Sequence, residues 1–279
     1  MTTLVFLVVL TAAVMHASWN ALVKHGGDPV FRLAVATLTG SVCALPFLPF
    51  VAVPAAGAWP WLLGSTVTHV GYYVTLAGGY RTGDLGVVYP VARGIAPPLV
   101  ALAAFAVAGE TLDAASLVAM ALICTGILAL VILGRGWRER PMAVVSALAC
   151  GATIAAYTIC DGQGVRASGD ALGYIVWLHL IDGSLFGIVV LWLRRRRLVA
   201  DIRRGLAPAA LGGILSMVAY GMVIWAMATT PMGLVSALRE TSVVLAAAIG
   251  TFLMDEPFGR RRIASAMLVA LGVVALRLA

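Results

Sequence analysis

Ten apolar stretches of about twenty residues each follow one another through this chain with little between them. A helix needs about 20 residues to cross the hydrocarbon of a bilayer. The stretches fall at 4–23, 30–52, 60–80, 85–108, 114–133, 142–161, 171–193, 206–228, 232–254 and 260–278. They take up nearly all of the 279 residues, of which 62% are hydrophobic and 11% charged. Soluble domains carry roughly a quarter charged residues, so this chain cannot cover itself with polar surface and its solvent is lipid. Runs such as LVALAAFAVA at 99–108 do not alternate, which excludes the ~10-residue alternating strands of a barrel. In lipid every backbone polar group must be satisfied within the chain. The expectation is an all-α integral membrane protein of about ten transmembrane helices, with no room for a soluble domain.

The chain also echoes itself. Arg239 lies 146 positions after Arg93, and the same offset separates Glu110 from Glu256, Gly126 from Gly272, Leu99 from Leu245 and Leu122 from Leu268. The halves meet at GRGWRERP, 134–141, giving a first five-helix repeat over 1–134 and a second over 141–279. Five spans are an odd number, so the second half enters the bilayer from the opposite side and the repeats are inverted. Inverted repeats of this kind characterise many secondary transporters, with the substrate site near the midplane between them.

Charge reads as orientation. Counting spans by parity puts 15 of the 19 Lys+Arg on one side, Arg166 and Arg277 on the other, and Arg93 and Arg239 within spans. The positive-inside rule places the rich side in the cytoplasm and both termini outside. The net charge of +7 is therefore an orientation signal and not a nucleic-acid footprint. Met1-Thr2-Thr3 lacks the basic n-region of a signal peptide, so 4–23 is read as a retained span. Cys43, Cys124, Cys150 and Cys160 lie within spans as packing residues; no Cys/His spacing indicates a metal, and no cofactor is expected.

Arg93 and Arg239 are the leading site candidates. A charge in mid-membrane is unfavourable by about 2.5–3.5 kcal/mol on insertion scales and usually faces a cavity or a partner. Two guanidiniums beside a central cavity would take an anionic group through bidentate bonds; otherwise each ties helices together or snorkels to an interface. Glu240 follows Arg239 directly. Helical neighbours point about 100° apart and do not face each other, so Glu240 is expected to find another partner, a cavity or a proton, and it is the coupling candidate. His16 and Asn20 share one face of the first span with Trp19 beside it. Tyr89, four residues before Arg93, shares the arginine's face. Tyr73 and Tyr220 occupy near-equivalent places in the two halves, with His69 and Tyr72 near the first and Trp225 near the second. Tyr157 shares a face of the sixth span with Asp161, which reads as a membrane-edge turn in DGQG. Pro90, Pro97 and Pro98 make the fourth span a candidate broken helix or hinge, or a kink absorbed by its neighbours. His179 and Asp182, three apart, read as a pair with each other.

The motifs HASWNALVK (16–24), GDLGVVYPVARGIAPPLV (83–100), GETL (109–112), AAYTICDGQGVR (155–166), PMGLVSALRETS (231–242) and DEPFGRRR (255–262) resemble those of EamA-type ten-span transporters of the drug/metabolite transporter superfamily. The pairing of HASWN, VYPVARG and LRETS is similar to a bacterial subgroup associated with phosphonate-utilisation genes. The resemblance implies a central cavity lined by spans one, three, four, six, eight and nine, with spans two and seven peripheral, so no substrate contact is expected from His179 or Asp182. Small multidrug-resistance relatives carry an acidic residue in the first span, and this first span has none.

These readings predict a secondary transporter that moves a small anionic or zwitterionic metabolite across a bacterial inner membrane by alternating access. Export of cationic or apolar drugs is the alternative. An intramembrane enzyme is disfavoured, since no nucleophile–base pair or HExxH pattern appears, and the missing P-loop pattern speaks against ATP-driven pumping. Partners would be the substrate, the bilayer and a coupling proton, without nucleic acid, in a monomer or a homodimer.

Overall fold

The computed structural model describes residues 1–24, 29–81, 85–133, 135–193, 206–246, 248 and 260–279. Among these residues the chain is helical and contains no strand. Its helices are α1 (Thr3–Lys24), α2 (Pro29–Ala44), α3 (Trp59–Arg81), α4 (Leu85–Ala108), α5 (Ala114–Ile132), α6 (Pro141–Ser168), α7 (Ala171–Leu193), α8 (Leu206–Met227), α9 (Met232–Glu240) and α10 (Arg260–Leu278). Seven of the described segments are long and apolar enough to cross a bilayer. The others fall short for visible reasons. α3 carries Ser65, Thr66, Thr68, His69, Tyr72, Tyr73 and Thr75, and α10 opens on three arginines. The described part of the ninth stretch is divided between α9 and helical residues at 242–246. Glu256 lies outside the described residues.

Local chemistry sets the helix ends. Gly109 and Gly169 take positive φ (66° and 75°) after α4 and α6, the left-handed backbone at which helices commonly stop. Asp113 caps α5 by accepting from the Ser116 backbone N–H at 2.7 Å, which holds its carboxyl below the usual carboxylate range. Pro141 opens α6 at a position where no donor is needed. Side chains such as Leu102, Phe105, Ile188 and Leu271 point outward, as lipid requires. Close helix contacts are made by small residues, as expected where no hydrophobic drive exists between helices. Gly126 sits against Val269 and Gly272 against Ile123, and Ser265 donates to the Gly126 carbonyl at 2.6 Å, so α5 and α10 pack through the echoed glycines. α1 packs on α8 and α3 on α6; α2 and α7 pack on each other.

Two local readings are decided by the structure, and the second is corrected. α4 runs unbroken through Pro90, Pro97 and Pro98. Pro97 and Pro98 still leave the carbonyls of Arg93 and Gly94 without their helical donors, at the level of the first buried arginine. The discontinuity lies in the ninth stretch, at Thr241. There the backbone tightens to a bond from Thr241 N–H to the Leu238 carbonyl, and helical residues resume at 242–246. A 3₁₀ step inside a helix is a common mark of a functional hinge. Finally, α6 extends to Ser168, so DGQG is helical and Asp161 is fully buried rather than in a turn. Gly162 and Gly164 let Met232 and Tyr174 approach α6 closely.

The start of α9 is capped from elsewhere. Pro231 offers no side-chain cap. Glu110, beyond the end of α4, instead accepts from the Met232 N–H at 2.8 Å and pairs with Arg166 of α6 at 2.6 Å. Arg166 also donates to the carbonyls of Met227 and Thr230 at 2.9 and 3.0 Å.

Candidate functional site

Eight helices converge on one central cavity of about 90 Å³. It is a narrow site, smaller than the usual pocket for a drug-sized ligand. α1, α3, α4, α6, α8 and α9 contribute His16, Tyr73, Arg93, Tyr157, Tyr220 and Arg239 to its wall. α2 and α7 line it as well, through Ala36, Thr37 and Gly40 and through His179, Asp182 and Gly183. The expectation that spans two and seven stand apart from the cavity is therefore wrong. The glycines bring their helices close. Gly183 lies against Thr37, and Gly213 of α8 lies against the backbone of Ala36.

Both arginines are 2% exposed and Glu240 is wholly buried. Arg93 Nη1 donates to Glu240 Oε2 at 2.9 Å. Arg239 donates through Nη2 and Nε to Oε1 at 2.8 and 3.1 Å. One carboxylate thus bridges two guanidiniums contributed by the two echoed segments, leaving a net charge of +1 on the cluster. The expectation that Glu240 could not pair with its neighbour is corrected here. The 100° rule describes Cβ directions, whereas the long arginine stem swings the guanidinium back to the carboxylate. The repeat position matching Glu240 is Gly94, and a Cβ there would lie 2.7 Å from Leu128. Packing on α5 thus leaves no room for a second acid at that position.

The sequence-nominated polar residues of α1 join this cluster. Arg93 Nη2 lies 2.8 Å from His16 Nε2, and Trp19 Nε1 donates to His16 Nδ1 at 3.1 Å. Both partners are pure donors, while a neutral imidazole has one bare nitrogen. One N–H therefore faces another N–H until an acceptor enters. Asn20 donates to the Tyr89 hydroxyl at 3.1 Å, and the Tyr89 ring stands 5.2 Å from the Arg93 guanidinium. Arg239 lies 5.9 Å from the Tyr157 ring. Tyr89, Asn20 and Glu240 sit behind the wall and position it, whereas His16, Trp19, Tyr73, Tyr157 and Tyr220 face the cavity with the arginines. Trp225 is 39% exposed and turned outward.

The Tyr157 ring also stacks on His69, at 4.1 Å. Tyr73 donates to Asp182 Oδ2 at 3.1 Å, and Asp161 accepts from Tyr174 at 3.0 Å and from Tyr220. His179 does not pair with Asp182; its Nδ1 contacts the Ile175 carbonyl at 2.8 Å. Reading pairs along a single helix could not find the partners of Asp161 and Asp182, because they come from different spans. No group of three or more His, Cys, Asp or Glu able to hold a metal occurs among the described residues.

Residues 141–278 match the EamA-like transporter family. The chain has no match among curated proteins. It superposes on a crystal structure of a protein with a TM-score of 0.77 at 15% identity, over 100% of this chain and 99% of the other. That likeness establishes a shared fold.

Proposed function

With its residues 141–278 belonging to the EamA-like transporter family, this is a multi-pass membrane protein of a transporter family, and we propose that it moves a small anionic or zwitterionic metabolite by alternating access. The observation that carries the substrate class is the pair of buried arginines sharing a single carboxylate at the cavity wall. The cluster is one negative charge short, and His16 adds a donor that lacks an acceptor. An entering anion supplies both. It competes with Glu240 for the guanidiniums, and the displaced carboxylate takes up a proton, which makes Glu240 the coupling group.

The reciprocal packing of the two halves supports an inverted repeat over 1–134 and 141–279. Gly126 contacts Val269 and Gly272 contacts Ile123, and these two contacts interconvert under the 146-residue offset. Rocking of such halves about a midplane site is the usual route to alternating access. We place the chain in a bacterial inner membrane as a monomer or homodimer, with both termini outside on the Lys/Arg bias.

The test is a thermal-shift screen of the detergent-purified protein against inorganic phosphate, alkylphosphonates, carboxylates, ω-amino acids and alkylamines. A ligand at about 100 times its Kd stabilises by about 2.7 kcal/mol. Stabilisation by anionic or zwitterionic probes that disappears in Arg93→Gln and Arg239→Gln is expected, followed by uptake of the same probe into proteoliposomes. Stabilisation by amines alone, unchanged in both variants, would sink the anion site.

A further inference from the structure

One wall group is left unexplained by an anion site. Asp182, on α7, is 8% exposed and lines the cavity. Its Oδ2 accepts from Tyr73, but its buried Oδ1 has no hydrogen-bond partner among the described residues. A carboxylate oxygen buried without a partner loses the hydration it had in water and gains nothing in return. Asp161, the other acid nearby, differs: both of its oxygens are taken up, by Tyr174 and Tyr220. The surroundings of Asp182 are rings. Tyr73 packs at 4.3 Å on Phe186, and His179 lies edge-on to Tyr220 at 6.4 Å. Aromatic faces beside a carboxylate favour an organic cation.

We infer that Asp182 forms a second, acidic pole of the same cavity, which receives an ammonium group, so that the substrate is a zwitterion with its acidic end at Arg93 and Arg239. This rests on the arginine site proposed above and narrows it. The cavity then offers a cationic cluster on α4 and α9 and a bare carboxylate oxygen on α7. A plain anion satisfies the first and leaves the second unpaired. A plain cation does the reverse and meets the surplus positive charge of the arginine cluster. A zwitterion completes both.

The experiment compares matched probes on the purified protein by calorimetry: ω-amino acids and ω-aminoalkylphosphonates over a series of chain lengths, the same acids without the amine, and the amines without the acid. In the unaltered protein the best zwitterion is expected to bind about tenfold to a hundredfold more tightly than its deaminated anion, the span of a charged hydrogen bond. Asp182→Asn is expected to bring the zwitterion down to the level of the anion while leaving anion binding intact. An anion that binds as tightly as its zwitterion in the unaltered protein overturns the inference without any variant. Equal weakening of both probes in Asp182→Asn also overturns it and makes Asp182 a structural residue. Loss of arginine dependence for every acidic probe is a separate result, and it sinks the anion site itself.

Discussion

Replacing Glu240 by glutamine should harm the fold more than replacing either arginine that it binds. The glutamine keeps the shape and one acceptor but removes the only negative charge from between two buried guanidiniums. Each guanidinium–carboxylate pair, at about 4 Å between charge centres and an effective dielectric near 20, is worth about 4 kcal/mol. Glu240→Gln loses two such attractions and keeps the Arg93–Arg239 repulsion. Removing one partner of a buried ion pair typically costs about 3–5 kcal/mol, because an uncompensated charge is left behind. Arg93→Gln loses one attraction, relieves the repulsion and leaves a neutral Arg239–Glu240 pair, so it should cost only about 1–3 kcal/mol. At about 2–4 °C per kcal/mol, Glu240→Gln should lower the Tm by roughly 6–20 °C and Arg93→Gln by roughly 2–12 °C. The assay is tryptophan-monitored thermal unfolding in detergent, repeated with inorganic phosphate, which should restore stability to Glu240→Gln by supplying the missing charge. If Glu240→Gln proves as stable as the parent, the bridging argument fails. If Arg93→Gln costs as much as Glu240→Gln, net charge is not what organises the cluster.

Two further outcomes follow from packing and capping. Gly213→Ala places a Cβ 2.8 Å from the Ala36 Cα, which is backbone and cannot swing aside, whereas Gly57→Ala meets nothing within 4 Å. The first should lower Tm and probe binding together, and the second should change neither, as read in the same thermal-shift assay. The Asp113 cap rests on a carboxyl held low by the Ser116 N–H. Its contribution is present above the ordinary carboxylate range and fades as pH falls through the lowered value. The Tm difference between parent and Asp113→Ala should therefore narrow below about pH 4; a gap that stays constant with pH would show that the charge is irrelevant to the cap.

Much of this architecture is legible in the sequence because lipid is a strict solvent. Apolar runs of bilayer length mark the helices, and Arg93 and Arg239 stand out because a charge in such a run needs a reason. The 146-residue offset also brings Gly126 and Gly272 to notice, and they meet the opposite helix in mirrored contacts. Partners across spans are what the sequence hides. Asp182 and His179 look like a pair along one helix, yet Asp182 is engaged by Tyr73 of α3. DGQG looks like a turn, because in water two glycines in four residues would stop a helix. Buried against Met232 and Tyr174, the same glycines serve close packing. The prolines of α4 point to a break there, but the interruption falls at Thr241, where no proline or glycine marks it.

The foreign cap on α9 has a mechanical consequence. Met232, held by Glu110, and Glu240, held by Arg93, are the two ends of one unbroken helix about 12 Å long at 1.5 Å per residue. Such a short helix transmits displacement without bending. If an arriving ligand draws Glu240 away from its arginines, the movement reaches Met232 and strains the Glu110–Arg166 latch at the other end. If the latch opens first, the carboxylate shifts against the guanidiniums. α9 thus forms a strut between the arginine cluster at the cavity and the Glu110–Arg166 pair at its far end, with Thr241 as the joint between it and the residues that follow.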